Sequence, residues 1–436
     1  MNMHSRIALA PLEPGTLKAT GLPPVFAREI FIKTVFRKNL ELVSDMAKEL
    51  CVTVPIINEL IAICRAQNLI ETLGNGGGSV ATEMRYQMTE TGKKRALLAL
   101  QQSEYFGALP VPMADFAAQV ERQTIRNVGI TKAKLEDAMT QLIIPDDLLN
   151  QIGPAVNSGK SILMYGPPGN GKSSISNGIR NAMGDKIFIP RVLEYAGQVI
   201  SVYDPIIHTS AQDMSENENS LRRAGGNFDK RYVQCDRPSV ITGGELTLDM
   251  LELKYNPNSK TYQAPLQLKA AGGVFIVDDL GRQQETPQAL INRWIVPMEG
   301  GEDILSLQSG EKFTVPFDTL VIFSTNFHPN KIFDGAALRR IFFKILIEAP
   351  SREDMLQIFM LVAKTKKFTL DKEALIYLFG AKYDEVDHKY AAYQAPFIID
   401  QMGAICEYQG LPRVMTPDLI DQAWANMFVE DSDIES

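Results

Sequence analysis

The residues best equipped for chemistry sit in two stretches that are far apart in the chain. Gly166, Pro167, Pro168, Gly169, Asn170, Gly171, Lys172, Ser173 and Ser174 follow a short apolar run at residues 161–165 and open a helix-like segment that stops at Gly184. Glycines at this spacing, between a strand and a helix, let successive backbone N–H groups converge on one point, and the helix adds its positive end. Such a curl is built for the phosphates of ATP. Lys172 is expected to supply a full charge to the outer phosphates, and the Ser173 hydroxyl is expected to ligate Mg²⁺. The second stretch is Val274-Phe-Ile-Val followed by Asp278 and Asp279. A buried central strand ending in two carboxylates delivers them where open α/β sheets bind ligands. Asp278 is expected to hold Mg²⁺ through water, and Asp279 to polarise an attacking water. Glu245, one methylene longer than Asp279, is an alternative for that second role.

Positioning these residues requires a particular set of elements. From residue 135 to residue 350 strand-like and helix-like segments alternate, which predicts a parallel α/β sheet. Residues 351–436 read as helical, ending in the acidic VEDSDIES. Residues 25–105 read as helix, helix, helix, strand, glycine-rich tip, strand, helix, the order of a winged helix-turn-helix-like domain. Residues 1–24 carry four prolines and no periodicity and read as a flexible lead-in, and residues 106–134 read as a linker holding the amphipathic FAAQVERQTI. Residues 302–317, EDILSLQSGEKFTVPF, alternate on both sides of Ser309-Gly310 and predict a β-hairpin.

Residues 130–430 resemble AAA+ ATPases. The carrying residues, besides the two stretches above, are Leu320-Val-Ile-Phe-Ser-Thr-Asn326, Asp334-Gly-Ala-Ala-Leu-Arg339-Arg340 and Gly410-Leu-Pro-Arg413. The resemblance implies a three-layer αβα P-loop domain with a C-terminal helical lid. It implies that Asn326 senses the γ-phosphate, that Arg339 or Arg340 is an arginine finger acting on a neighbouring subunit, and that Arg413 is a lid arginine facing the nucleotide. A homo-oligomer follows from a finger acting in trans, with a ring of six as the class default. GGELTLDML, APLQLKAAGGVFIVDDLGRQ, NRWIVPMEGG and PFDTLVIFSTN are similar to a bacterial chaperone-like AAA+ group, whose resemblance leaves the target open. One departure stands out: Lys172 and Asp278 are 106 positions apart, more than a minimal domain needs. The extra segment holds the polar DMSENENS, the basic Arg222, Arg223, Lys230 and Arg231, and the aromatic Tyr255 and Tyr262, read as packing rather than as grips on a threaded chain.

Bulk properties narrow the function classes. The 436 residues carry a net charge of −8, which argues against a nucleic-acid coat. Residues 1–105 hold 12 Lys+Arg against 10 Asp+Glu, and the presumed recognition helix, residues 55–68, has only Arg65 as a cation. That balance favours protein docking over DNA binding for this part. Cys51, Cys64, Cys235 and Cys406 are scattered and read as reduced thiols of a cytoplasmic protein; no signal peptide and no membrane span is expected. The leading expectation is an ATP-hydrolysing remodelling machine working on a protein substrate or adaptor. A DNA-acting ATPase and a nucleotide-gated scaffold with negligible hydrolysis are the alternatives.

Overall fold

The structure is a computed structural model that describes residues 10–75, 84–210 and 228–427. The tip of the expected wing, DMSENENS with Arg222 and Arg223, and the acidic tail lie outside the described residues. The chain divides into two compact units, neither continuous in sequence. One holds residues up to 128 together with 184–275 and 289–320; the other holds 129–183, 276–288 and 321 onward.

In the first unit, helices Pro24–Lys38, Val43–Leu50 and Val54–Ala66 are followed by an antiparallel strand pair, Ile70–Asn75 with Met84–Met88, and by the helix Glu90–Gln102. Proline near the start sets the first turn of the first and third helices, where its missing N–H costs nothing. Thr89 caps the last helix by accepting from the Gly92 N–H at 3.0 Å. The apolar faces of these helices bury Ile30, Phe31, Met46, Leu50, Ile56 and Leu60 in one core. Residues 10–24 do not form a loose lead-in. Leu17 and Leu22 are buried in that core, and the Leu17 N–H donates to Glu59 at 3.1 Å.

Residues 106–134 are likewise more than a linker. Val111, Phe116 and Val120 enter a second core with Ile187, Leu193, Ile200, Tyr232, Leu305 and Phe313. The helix Met113–Arg122 therefore spends its apolar face on the segment 184–275 rather than spanning a gap. The hairpin forms as expected, Glu302–Ser306 pairing antiparallel with Lys312–Pro316, with Leu305 opposite Phe313 on the buried face. Tyr262 is buried and its ring lies 5.0 Å from that of Tyr255, so both are packing residues. Arg231 is buried against Asp229 and also donates to the carbonyls of Thr20 and Pro110, at 3.0 and 3.1 Å. A fully partnered buried guanidinium is a staple between distant segments, not part of an exposed basic patch.

The second unit is an α/β domain with a helical C-terminal region. Its strands stand in the order Phe343–Leu346, Ile162–Tyr165, Leu320–Thr325, Val274–Val277. The Ile162–Tyr165 strand pairs in parallel with both neighbours, placing Ile322 and Phe343 opposite Ile162. Leu320–Thr325 is buried along its whole length, the continuous run expected of a strand covered on both faces. After the sheet, helices Arg352–Thr365, Lys372–Tyr377, Gln394–Gln409 and Pro417–Ala425 close their own core around Phe359, Tyr383, Ile398 and Met402. Ser351 and Asp354 form a capping box at the first of these, and Thr416 caps the last. Among the described residues no helix is long and apolar enough to cross a membrane.

Candidate functional site

The loop after Ile162–Tyr165 is shaped by three glycines in the left half of backbone space: φ is 144° at Gly166, 79° at Gly169 and 82° at Gly171. A Cβ on Gly166 would lie 2.1 Å from the Ile347 carbonyl oxygen, so this position has neither the torsion nor the space for a side chain. Gly169 meets the ring of Tyr393 in the same way, at 2.3 Å. Gly171 stands at the start of the helix Lys172–Ala182, whose first N–H groups receive no side-chain cap. Uncapped donors at a helix start, beside a curled glycine loop, form an anion site. Lys172 is nearly buried and folds its ammonium back onto the carbonyls of Gly166 and Pro167, both at 2.9 Å. Burial lowers its pKa, while Asp278 and Asp279 act in the opposite direction.

The second stretch meets the first here. Ser173 Oγ donates to Asp278 Oδ2 at 2.6 Å across 105 positions of sequence, and Ser324 Oγ hydrogen-bonds the other oxygen of Asp278. A hydroxyl and a carboxylate oxygen side by side are hard donors of the kind Mg²⁺ takes, with phosphate and water completing the shell. Among the described residues there is no cluster of three or more His, Cys, Asp or Glu that could hold a metal ion. Asn326 Nδ2 donates to Asp279 Oδ1 at 2.9 Å, and Arg282 pairs with Asp279 Oδ2 at 3.1 Å. Asp279 itself has a φ of 53°. A left-handed residue other than glycine costs about 1–2 kcal/mol, comparable to one or two of the hydrogen bonds that hold its carboxylate and backbone.

A cavity of about 540 Å³ opens over these groups, within the range of small-ligand sites. Pro168, Gly169, Asn170, Gly171, Lys172, Ser173, Ser174, Asp278, Asp279 and Asn326 line it, with Leu142, Ile144, Ile358, Leu361 and Tyr393 forming an apolar wall. Four expected site residues stand elsewhere. Arg339 and Arg340 end the short helix Gly335–Arg340, exposed and outside the cavity lining. Arg413 lies in the turn before Pro417–Ala425 and donates to the Lys366 carbonyl at 3.0 Å and to Glu407 at 3.2 Å. Glu245 belongs to the other unit, where it accepts from the Gly243 N–H at 2.9 Å.

Three residues at the site carry no sequence signal that singles them out. Ser324 is a buried hydroxyl one strand away from Asp278. Tyr393 donates its N–H to the Gly169 carbonyl at 2.9 Å, and the neighbouring Ala392 N–H donates to Asn170 Oδ1 at 3.1 Å. Gln283 spans the turn after Asp279.

Residues 351–426 match the family described as "Domain of unknown function (DUF8689)". No curated protein matches the chain. Among solved structures, NtrX from Brucella abortus is similar at 14% identity over 69% of this chain, with a TM-score of 0.41; this chain spans 60% of its length. A RuvB mutant from Thermotoga maritima is similar at 10% identity, covering 69% of this chain and 71% of that one, with a TM-score of 0.38.

Proposed function

We propose that this chain is a Mg²⁺-dependent ATPase of the AAA+ type. The observation that carries the reading is the Ser173–Asp278 contact of 2.6 Å, which joins the glycine loop to the acidic strand end. In this reading the loop from Gly166 to Gly171 and the first helical N–H groups take the phosphates. Lys172 exchanges its two carbonyl partners for phosphate oxygens, and Ser173 and Asp278 hold Mg²⁺. That ion, when bound, supplies charge neutralisation for phosphoryl transfer. Asp279 orients and deprotonates the attacking water, and Asn326, which shares a hydrogen bond with it, reports the outermost phosphate. The apolar wall from Leu142 to Tyr393 takes the base and sugar.

Beyond the site, the reading extends to a homo-oligomer in which Arg339 or Arg340 reaches a neighbour's nucleotide, and to mechanical work on a protein partner. We assign residues 25–105 to docking a protein rather than DNA. Arg85 pairs with Glu41, Lys93 with Glu90 and Arg95 with Glu29, so cations that could meet phosphates are engaged by acids. The test is calorimetric. Wild type should bind Mg·ATP, and Lys172→Ala should weaken that binding by about a hundredfold, as expected for loss of a charged hydrogen bond at a phosphate. Asp278→Asn should keep measurable binding and lose turnover. Unchanged affinity in Lys172→Ala would refute the phosphate-loop assignment.

A further inference from the structure

The strand Val274–Val277 does not end freely after its two carboxylates. Leu280 is buried and its N–H donates to the Ser324 carbonyl at 2.7 Å, while Thr325 Oγ1 donates to the Leu280 carbonyl at 2.8 Å. On either side of this doubly anchored residue the chain turns, with Asp279 at φ 53° and Gly281 at φ 110°. The side-chain amide of Gln283 fills the inside of that turn. Its Oε1 accepts from the Gly281 N–H at 2.9 Å, and its Nε2 donates to the Asp278 carbonyl at 3.2 Å and lies 3.5 Å from that of Asp279. One primary amide thus supplies an acceptor to the Gly281 N–H and a donor to the Asp278 carbonyl, while the Asp279 carbonyl also accepts the Arg282 N–H at 3.2 Å.

From this arrangement we infer that Gln283 is a positioning residue for Asp279: it fixes the left-handed turn that aims the Asp279 carboxylate at Asn326. The inference rests on the reading of Asp279 as the group that orients water. Asp has a short side chain, so the direction of its carboxylate is set by the main-chain torsion. Relaxation of Asp279 to the right-handed region moves the carboxylate away from Asn326 Nδ2, now 2.9 Å from it. Phosphate contacts made by Lys172 and the glycine loop do not pass through this turn. Losing Gln283 therefore lowers kcat and leaves affinity for Mg·ATP in place.

The experiment uses the full chain and two variants. Gln283→Glu keeps the length and the acceptor for the Gly281 N–H but sets an oxygen against the Asp278 carbonyl. Gln283→Ala removes both ends. Mg·ATP affinity is measured by calorimetry, steady-state kcat and KM by phosphate release, and folding by melting temperature. Gln283→Glu conserves volume and is the variant to read if Gln283→Ala melts early. The expected result is a fall in kcat of about tenfold or more, since small misplacements of a reacting group cost up to 10²-fold, with binding within about threefold of wild type. An active wild type whose Gln283→Glu variant turns over within twofold of it, or loses affinity in step with kcat, overturns the positioning role alone. A wild type that binds no Mg·ATP overturns the site reading and this role with it.

Discussion

His208 shows how a single buried side chain sets a pH limit on this fold. It is nearly inaccessible, with Nδ1 accepting the Asp204 N–H at 2.8 Å and Nε2 facing the Lys269 carbonyl at 2.9 Å. That geometry needs a neutral ring protonated on Nε2, because a second proton on Nδ1 would oppose the Asp204 N–H. Burial lowers its pKa most; the Lys269 carbonyl and the Asp204 carboxylate pull it upward, while the Lys269 ammonium pushes it down. Tyr203 stacks on the ring at 5.6 Å and brings no charge. The folded state therefore resists a proton that the unfolded chain takes at about pH 6.5. The resulting stability is fully present above that pH and is lost as pH falls through the lowered folded value. Melting temperature should drop from pH 7 towards pH 5, and His208→Gln should show a shallower drop in differential scanning calorimetry. Parallel slopes for the two proteins would count against this account.

Among the elements, the strand–loop–helix that ends Ile162–Tyr165 makes unequal demands on its glycines. Gly166 combines a φ of 144° with backbone 2.1 Å from where a Cβ would stand, and that backbone belongs to the segment after Phe343–Leu346, whose Ile347 N–H bonds the Tyr165 carbonyl at 2.8 Å. Gly171 has a φ of 82° and open space. Gly166→Ala should therefore cost about 2–4 kcal/mol, strain plus a clash with a sheet that cannot yield. Gly171→Ala should cost about 1–2 kcal/mol, torsion alone. Urea unfolding of both variants checks the order, and a Gly171→Ala cost equal to or above that of Gly166→Ala would contradict it. Much at this scale was legible from local pattern. Apolar runs gave the strands near 161–165, 274–277 and 320–325, and alternation about Ser309-Gly310 gave the hairpin. Ser324, Gln283 and Tyr393 were not legible. Each acts through a contact fixed by tertiary folding, such as Ala392 with Asn170 across 222 positions, and no local period encodes that.

For the molecule as a whole, the same limit explains the domain boundaries. Alternating strands and helices from 135 to 350 read as one continuous α/β domain, yet residues 184–275 and 289–320 close a core with Val111, Phe116 and Val120. Apolar periodicity says which face is buried but not which distant face covers it. The grouping leaves an α/β unit whose cavity lining contains Lys172 as its one Lys, Arg or His among the described residues, alongside Asp278 and Asp279. A magnesium-bound triphosphate is still anionic, and charge builds on its outer oxygens during transfer. Beside Mg²⁺, Lys172 and the Arg282 that pairs with Asp279, a cation from a second copy would add to the charge that meets those oxygens in the proposed ATPase. Arg339 and Arg340 are exposed on a short helix outside that lining, and in the proposed oligomer they are the residues that would reach a second copy. The double substitution Arg339→Ala with Arg340→Ala should keep Mg·ATP affinity and lose turnover by about a hundredfold or more, a fraction of the full effect of an arginine finger. Mixing that variant with Lys172→Ala decides whether the arginines act in trans. One partner keeps an intact nucleotide site and the other keeps intact arginines, so the mixture should hydrolyse ATP faster than either alone, and its specific activity should fall on dilution. A mixture no faster than its components would place the added charge elsewhere.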